Sequence, residues 1–402
     1  MKYAILLYDG MADLPCPALG GLTPMEKAHK PNLDALAQRG EVGLLRTVAK
    51  GMTPGSDTAN MSVLGFDPAL YYTGRSPIEA VSMGINMSNT DISLRCNLVT
   101  LSAAEQFENR KMLDYSGGDI STAEAAELIT AVQKELGSDE YRFHAGVAYR
   151  HCLIVKNGTL ELGNLTAPHD ITGQTIGPYI SRHPNAAVLN GFTRRSAKVL
   201  ENHPVNLARK ARGLLPANAI WLWGEGKKPA LPQFSELYGK RGSIISAVDL
   251  LKGIAILAGM NAPNVPGATG YIDTNFVGKA NEAIAQWESG QDLVYLHFEA
   301  PDECGHRGEA DNKVRSIELL DELVLPRVRD YLETHDDYKI LVLPDHPTPL
   351  ITGKHSADPV PYVLYHKSAE RDSGVACVTE KTAEATGVFH DVGHEMMAYF
   401  LG

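Results

Sequence analysis

The sequence predicts an α/β protein built on a mostly parallel sheet with helices on both faces. Short runs such as Tyr3 to Tyr8 and Lys339 to Leu343 are apolar on both faces, as expected for buried strands. Helical patterns separate these runs along the chain. Acidic residues follow several of the runs, and the carboxyl ends of parallel strands are where ligands bind in such sheets.

The elements of this sheet are predicted in chain order. The first strand, at Tyr3 to Tyr8, is followed by a helix near Asn32 to Gln38. Further strands are predicted at Ala219 to Trp223, Asp292 to Phe298 and Lys339 to Leu343, with helices between them. Because all of these runs are apolar on both faces, we expect them to belong to one parallel sheet.

A stretch with a different sequence pattern interrupts this alternation of strands and helices. Between about Leu94 and Ala187 the chain has alternating segments such as RFHAGVAYRHCLIVK, a helical pattern from Thr122 to Leu136, and turns rich in Gly, Asn and Pro. We therefore predict two domains: a main domain of residues 1–93 and 188–402, and an inserted α+β domain of residues 94–187.

The composition indicates which partners the protein can have and in which compartment it is expected. The 402 residues are 44% hydrophobic and 21% charged, with a net charge of −11 and no Lys/Arg run of five or more, which argues against nucleic acid as a partner. No segment is apolar enough to be expected to anchor the chain in a membrane. Five scattered cysteines without a C-x-x-C pair indicate neither disulfides nor a thiolate zinc site, so we expect a cytoplasmic protein.

Acids and histidines after the predicted strands form the candidate site. Three carboxylates, three imidazoles and one hydroxyl belong to this set: Asp9, Ser56, Asp302, His306, Asp345, His346 and His355. These groups suffice for two divalent metal ions, and mixed Asp/His ligation suits Mn²⁺ best, with Zn²⁺ or Mg²⁺ as alternatives. Two metals held close together can clamp the attacking and leaving oxygens of a phosphoryl transfer.

Ser56 has two interpretations. The segment PGSDTAN precedes an apolar helical pattern, so Ser56 could cap a helix that has Asp57 in its first turn. A nucleophile at the same position would gain from the first-turn N–H groups, which point at an incoming phosphate. A metal would lower the pKa of its hydroxyl.

Eight motifs, in order and over nearly the whole chain, resemble the archaeal-type cofactor-independent phosphoglycerate mutases of the alkaline phosphatase superfamily. They are YDGMAD, PGSDTAN, YYTGRSPIEA, HPVN, GATGYIDTN, PDECGH, the Asp-His pair and HSADPVP. The resemblance implies an alkaline-phosphatase-like α/β domain with an inserted lid domain, and no requirement for 2,3-bisphosphoglycerate. It assigns Asp9, Ser56, Asp345 and His346 to one metal and Asp302, His306 and His355 to the other. It also implies that Ser56 becomes phosphorylated.

The resemblance leaves the substrate open between two activities. Interconversion of 3-phosphoglycerate and 2-phosphoglycerate is the first. The segments EAPDECGHRGE, IWLWGEG and DHPTP resemble a bacterial branch proposed to act as homoserine kinase, and Arg307-Gly308 stands where the archaeal mutases typically have Asp-Gly. A phosphatase and a metal-binding scaffold without chemistry are weaker alternatives, since the long insert and the intact Ser56 argue against them.

The mutase hypothesis requires groups that hold a small phosphorylated substrate beneath a closing insert. The candidates are Arg75, Arg150, His151, His169 and Asp170, with Asp170 as a candidate general base. Homoserine would need an acidic group for its ammonium, for which Glu299, Glu303 and Asp170 are the candidates. The sequence carries no indication of an oligomeric state.

Overall fold

In the computed structural model, which describes residues 1–402, the chain divides into two units. The first unit consists of Met1–Tyr72 and Ala230–Gly402, and the second of Thr73–Pro229. The first unit is therefore made from two separate segments of the chain, whereas the second is one continuous segment.

The chain contains twelve strands and sixteen α-helices. The strands are β1 (Lys2–Tyr8), β2 (Glu41–Leu45), β3 (Ile92–Leu101), β4 (Met112–Asp114), β5 (Tyr141–His144), β6 (Arg150–Val155), β7 (Ala219–Lys227), β8 (Gly242–Ile245), β9 (Leu293–Phe298), β10 (Tyr338–Leu343), β11 (Val360–His366) and β12 (Phe389–His390). The helices are α1 (Pro24–Lys27), α2 (Pro31–Gln38), α3 (Ser56–Val63), α4 (Pro68–Tyr71), α5 (Arg75–Ser82), α6 (Thr122–Leu136), α7 (Ala187–Leu200), α8 (Pro204–Ala211), α9 (Phe234–Tyr238), α10 (Asp249–Leu257), α11 (Phe276–Glu288), α12 (Ala300–His306), α13 (Ala310–Leu319), α14 (Leu325–Leu332), α15 (Glu380–Ala385) and α16 (Met396–Leu401). No helix here combines the length and the apolar character that a bilayer crossing requires.

The first unit is built on a seven-stranded mixed sheet in the order β12-β2-β11-β10-β1-β9-β8. Its central strands β10, β1, β9 and β8 run parallel to one another, while β11 is antiparallel to both β10 and β2. Strands β9 and β10 are buried at every position, which accounts for their unbroken apolar runs. This arrangement confirms the predicted α/β class.

The main hydrophobic core of the first unit lies between the central strands and the helices. Alternate residues of β1, β9 and β10 pack with apolar residues of α2, α11 and α14. Because the remaining residues of these strands are also buried, both faces of the sheet are covered. The coverage leaves the strand ends as the place where polar side chains can gather.

The second unit is built on an antiparallel sheet. Strand β3 pairs with β6 and β7 along its length and with β4 at its end, and β5 pairs with β6. Helices α6 and α7 cover one face with Leu128, Val132 and Phe192. The opposite face carries Arg95 and Asn97 of β3 and Arg150 of β6, together with Cys152 and Ile154, which pack against α5.

Two features of the second unit differ from the predictions. The run Ala219 to Trp223 belongs to β7, which pairs antiparallel with β3, so its predicted place in the parallel sheet was wrong. An apolar run indicates a buried strand but not the sheet to which it belongs. The second unit also extends beyond the predicted insert of 94–187 at both ends, because α5 precedes β3 and β7 completes its sheet.

Candidate active site

Three aspartates lie together at the carboxyl edge of the first unit's sheet. Asp9 follows β1 directly, Asp345 follows β10, and Asp302 lies in α12 just after β9. Strand β1 lies between β10 and β9 and is parallel to both. Adjacent parallel strands therefore bring the three carboxylates to one place, although they lie hundreds of residues apart in the sequence.

These carboxylates are almost completely buried, with exposures of 1% for Asp9, 5% for Asp302 and 0% for Asp345. Burial raises the pKa of Asp9 well above its usual value, and the charges of Asp345 and Asp302 raise it further. The Asp9 Oδ1 atom is buried and has no hydrogen-bond partner. A buried group of acids with an unpaired oxygen favours the binding of a cation.

Three imidazoles turn their Nε2 atoms towards these carboxylates. His306 Nε2 lies 3.2 Å from Asp302 Oδ2, and His355 Nε2 lies 3.3 Å from Asp302 Oδ1. His346 Nε2 lies 3.3 Å from Asp345 Oδ2 and 3.6 Å from Asp9 Oδ1. Asp302 and His306 share one face of the short helix α12, as their i, i+4 spacing predicts.

The donor atoms fall into two groups that fit divalent cations. One group is Asp9, Asp345 and His346, the other is Asp302, His346 and His355, and within each group the ligand atoms lie within 4.8 Å of one another. The mixture of carboxylate and imidazole donors suits Mn²⁺ or Zn²⁺. His346 belongs to both groups by distance, whereas the resemblance assigns it to one metal.

The orientation of His306 also favours a metal. Its Nδ1 atom lies 2.8 Å from the carbonyl oxygen of Gly353, to which an Nδ1–H would donate. That bond leaves the lone pair of Nε2 facing Asp302 and His355, whose Nε2 atom is 2.9 Å away. A backbone carbonyl that orients an imidazole in this manner is typical of metal-binding histidines.

Ser56 is the first residue of α3 and faces this cluster. Its Oγ atom lies 3.2 Å from His346 Nε2. The N-cap position is occupied by Gly55, so Ser56 does not cap the helix with its side chain. The first intrahelical bond runs from the Ala59 N–H to the Gly55 carbonyl, which leaves the N–H groups of Ser56 and Asp57 ahead of it.

Three residues that support the aspartates were missed by the sequence reasoning. His297 Nε2 lies 2.8 Å from Asp9 Oδ2, Asn60 Nδ2 donates to Asp345 Oδ2 at 2.8 Å, and the Thr348 hydroxyl donates to Asp302 Oδ1. The exposure of each is 0%. A histidine inside the apolar run LVYLHF was the one available signal, because a polar residue in a buried strand needs a partner.

Two of the predicted substrate-binding residues lie on opposite faces of the sheet in the second unit. Arg150 and His151 are consecutive in β6, so they project from opposite faces of the sheet. His151 is 4% exposed, its Nδ1 accepts the Gly146 N–H at 3.0 Å, and burial lowers its pKa to about 3. The His151 side chain therefore lies on the helix-covered face, apart from Arg150, and this position does not support its predicted role in substrate binding.

The face that carries Arg150 also holds a group of arginines around Glu79. Arg75 Nε lies 2.7 Å from Glu79 Oε1, and Arg95 Nε lies 3.1 Å from Glu79 Oε2. Burial acts to raise the pKa of Glu79, but the charges of Arg95, Arg75 and Arg150 outweigh it and hold that pKa below its usual value. With three guanidinium groups and one carboxylate, this group of residues has an excess of positive charge.

His169 and Asp170 lie in a 3₁₀ turn beside that arginine group. The His169 ring packs edge-on against Trp223 at 5.3 Å between centroids, and the Arg95 guanidinium lies 4.4 Å from the centroid of Trp223. His169 Nε2 is 3.7 Å from Asp170 Oδ1, and both side chains are exposed. Neither Arg95 nor Trp223 was identified from the sequence, because each occupies an ordinary strand position.

Glu303, a candidate partner for the ammonium of homoserine, forms a salt bridge with Arg307. Its Oε2 atom lies 3.2 Å from Arg307 Nη2, one helical turn further along the chain. The Arg307 guanidinium also lies 4.4 Å from the ring centroid of Tyr271. Arg307, which departs from the archaeal pattern, thus pairs with one of the candidate partners for that ammonium.

Comparison with known proteins places the chain among named relatives. The family described as 2,3-bisphosphoglycerate-independent phosphoglycerate mutase matches residues 37–206. A protein of that name from Methanosarcina acetivorans is 46% identical over 385 residues, which is 96% of this chain and 95% of that protein. A Geobacter sulfurreducens protein named "Probable 2,3-bisphosphoglycerate-independent phosphoglycerate mutase" is 45% identical over 401 residues and all of both chains.

A solved structure has the same fold. It is described as the cofactor-independent phosphoglycerate mutase from Thermoplasma acidophilum, with a TM-score of 0.67, 27% identity and complete coverage of both chains. Sequence identity over the whole length and similarity of fold agree. The chain belongs to the 2,3-bisphosphoglycerate-independent phosphoglycerate mutase family.

Proposed function

We propose that the protein interconverts 3-phosphoglycerate and 2-phosphoglycerate by phosphoryl transfer through Ser56. The observation that carries this proposal is the position of the Ser56 hydroxyl, 3.2 Å from His346 Nε2 at the edge of three buried carboxylates. The names of the relatives support the choice of substrate. The phosphorylated substrate is a small molecule, and 2,3-bisphosphoglycerate is not part of the reaction.

We assign the binding of two divalent metal ions, with Mn²⁺ the preferred ion, to seven residues: Asp9, Ser56, Asp302, His306, Asp345, His346 and His355. When bound, such ions lower the pKa of a hydroxyl and neutralise the oxygens of a phosphoryl group. Asp9 supports the assignment, because its Oδ1 atom is buried without a partner.

In the proposed reaction, Ser56 is the nucleophile and the phosphoryl group is transferred twice. Ser56 Oγ loses its proton and forms a bond to phosphorus while the bond between phosphorus and the 3-oxygen of the substrate breaks. The 3-oxygen gains a proton, which gives phosphoserine and glycerate. The 2-hydroxyl of glycerate then loses its proton as its oxygen attacks the same phosphorus, and the Ser56 oxygen leaves and regains a proton. The N–H groups of Ser56 and Asp57, at the start of α3, are suited to an anionic phosphoryl oxygen.

Recognition of the substrate's charged groups is assigned to the arginine group of the second unit. Arg75, Arg95 and Arg150 provide an excess of positive charge around Glu79, and a guanidinium can hold a carboxylate with two parallel hydrogen bonds. His169 and Asp170 flank this group and remain candidates for proton transfer to the glycerate hydroxyls. Glycerate must stay bound, and water must be kept out, between the two transfers, because water at the phosphoserine would produce a phosphatase.

The Ser56→Ala variant tests the proposal, with Ser62→Ala as the matched control. Ser62 is a buried serine in the same helix, and its hydroxyl lies next to Gly393. ³¹P NMR follows the conversion of 3-phosphoglycerate, and elemental analysis gives the metal content. We expect Ser56→Ala to lose conversion while it keeps bound metal, and Ser62→Ala to behave as the wild type. Conversion by Ser56→Ala at the wild-type rate would rule out a phosphoserine.

The same assay includes homoserine with ATP, the substrate pair of the kinase hypothesis. We expect no phosphohomoserine signal from the wild-type protein, while 3-phosphoglycerate alone is converted. The opposite result would keep Ser56 and the metal-binding residues but replace the substrate.

A further inference from the structure

The side-chain amide of Asn60 connects the start of the nucleophile's helix to a metal-binding aspartate. Asn60 lies one turn after Ser56 in α3 and has an exposure of 0%. Its Nδ2 atom donates to the Ser56 carbonyl oxygen at 2.8 Å and to Asp345 Oδ2 at 2.8 Å. One NH₂ group thus ties together two parts of the site that are 289 positions apart in the chain (345 − 56).

Tyr295 determines which end of that amide faces Asp345. Its hydroxyl donates to Asn60 Oδ1 at 2.6 Å, and its own exposure is 0%. An amide has its acceptor on one side and its donors on the other, so a donor bound to the oxygen directs the NH₂ group the opposite way. Burial, together with the charges of Asp345 and Asp9, raises the pKa of Tyr295, and the phenol keeps its proton.

These hydrogen bonds form a chain in which each residue donates to the next. The phenol donates to the amide, and the amide donates to Ser56 and Asp345. Asn60 meets the cluster only as a donor, through Nδ2 on Asp345 Oδ2, and its Oδ1 atom accepts from Tyr295, so neither residue offers a lone pair to a metal there. Both residues act through others, which separates them from the metal-binding residues themselves.

We propose that Tyr295 and Asn60 are a positioning pair that holds the Ser56 hydroxyl in register with the metal-binding aspartates. The inference rests on the proposed role of Ser56 and deepens it. Groups that orient metal-binding residues typically contribute about 10- to 100-fold to metal affinity or activity. Removal of the phenol should therefore misplace the reacting hydroxyl rather than weaken recognition of the substrate.

The Tyr295→Phe variant removes the hydroxyl and keeps the ring. We expect kcat for 3-phosphoglycerate to fall about 10- to 100-fold, with KM changed little because the groups that recognise the substrate are untouched. Mn²⁺ affinity, measured by the electron paramagnetic resonance signal of free Mn²⁺, should weaken in the same variant.

Tyr338→Phe is the matched control for loss of a tyrosine hydrogen bond. Tyr338 lies at the opposite end of the sheet, at the start of β10, and its hydroxyl donates to Glu333 Oε1 at 2.6 Å. We expect Tyr338→Phe to lower the thermal unfolding temperature by an amount similar to Tyr295→Phe. Its kcat and its Mn²⁺ affinity should match the wild type.

A double-mutant cycle tests whether Tyr295 acts through Asn60. Asn60→Ser removes the amide, and the cycle is completed by Tyr295→Phe in that background. We expect Tyr295→Phe to have little further effect on kcat or Mn²⁺ affinity once Asn60 is absent. Equal effects in both backgrounds would overturn the proposed relay, and an unstable Asn60→Ser protein would leave the decision to Tyr295→Phe and its control.

The Mn²⁺ measurement separates this inference from the proposed function, because it requires no substrate. A wild-type protein that binds Mn²⁺ but does not convert 3-phosphoglycerate would overturn the function, and the Mn²⁺ affinity of Tyr295→Phe would still decide the inference. Wild-type affinity and wild-type kcat in Tyr295→Phe would overturn the inference alone.

Discussion

At the scale of a single residue, the proposed metal-binding role of Asp9 carries a structural penalty. Its Oδ1 atom is buried without a partner beside the charges of Asp345 and Asp302, and the pKa of Asp9 is raised by burial and by both neighbours. These repulsions should destabilise the protein whenever no cation is bound.

Asp9→Asn should therefore be more stable than the wild type in the presence of a chelator. We expect its free energy of unfolding to be higher by about 1–3 kcal/mol, because the neutral amide removes the charge that repels Asp345 and Asp302 and its NH₂ group can donate to their oxygens. Added Mn²⁺ should stabilise the wild type more than the variant, because binding to the folded state alone raises stability. Thermal unfolding with chelator and with Mn²⁺ measures both, and a wild type that is more stable than Asp9→Asn under both conditions contradicts the prediction.

Lys279 is a buried lysine outside the set of proposed metal-binding residues, and it offers a test of pH dependence. Its Nζ atom donates to the His297 carbonyl at 3.1 Å, and burial lowers its pKa to about 8. In the unfolded chain the pKa returns to about 10.4. Between these values the folded state has lost its proton while the unfolded state retains it, so stability rises with pH across this window.

The Lys279→Met variant lacks the titrating group, so it is the reference for the wild type. We expect the unfolding free energy of the wild type, relative to Lys279→Met, to rise by about 1.4 kcal/mol per pH unit between pH 8 and pH 10. Below pH 8 both states are protonated, and the difference should be constant. Urea unfolding of both proteins at several pH values provides the measurement, and a flat difference up to pH 10 would show that Lys279 does not titrate early.

At the scale of an element, the turn after β1 depends on a glycine. Gly10 has φ = +63°, and a Cβ atom there would lie 2.7 Å from Asp302 Cα and 2.7 Å from Thr348 Oγ1. The backbone of Gly10 therefore lies so close to α12 and to the loop after β10 that a residue with a Cβ atom would clash with them. This close approach places Asp9 beside both elements. Gly20 has a similar φ of +70° but nothing within 4 Å of a built Cβ atom.

Gly10→Ala and Gly20→Ala separate backbone strain from crowding. The positive φ should destabilise each variant by about 1–2 kcal/mol. Gly10→Ala should lose more stability than Gly20→Ala, and it alone should bind Mn²⁺ more weakly. Urea unfolding and Mn²⁺ titration check these outcomes, and equal Mn²⁺ affinity in the two variants would mean that the turn adapts without moving Asp9 or Asp302.

The elements differ in how far local sequence could predict them. Helix α6 was predicted at Thr122 to Leu136 and has those bounds, because the Ser121 side chain accepts the Glu124 N–H and an apolar face runs along the helix. Strand β7 was predicted as a strand but placed in the wrong sheet. Pairing between β7 and β3 joins residues more than a hundred positions apart, and no local pattern records it.

At the scale of the whole molecule, the second unit is a continuous segment with its own core. Strand β3 has β6 on one side and β7 on the other, and helices α6 and α7 cover the same apolar face. A segment with a complete sheet and its own hydrophobic core meets the description of an independently folding domain.

Expressed alone, residues 73–229 should fold cooperatively, with a single thermal transition in circular dichroism. The segment 94–187, with the boundaries predicted from the sequence, is the matched control. It lacks β7, the start of β3 and nearly all of α7, so we expect it to remain unfolded. Cooperative folding of 94–187 would mean that β7 is dispensable for the core.

The sequence by itself determined the α/β class and the family resemblance, because strand patterns and motifs are local features of the chain. It also supplied the seven residues that we propose as metal ligands. The tertiary structure decided which groups face one another. It places His151 on the covered face away from Arg150, puts Ser56 beside His346, and joins Tyr295 to Asn60. These contacts depend on strand order and on the alternation of side chains across a sheet, so only the folded chain establishes them.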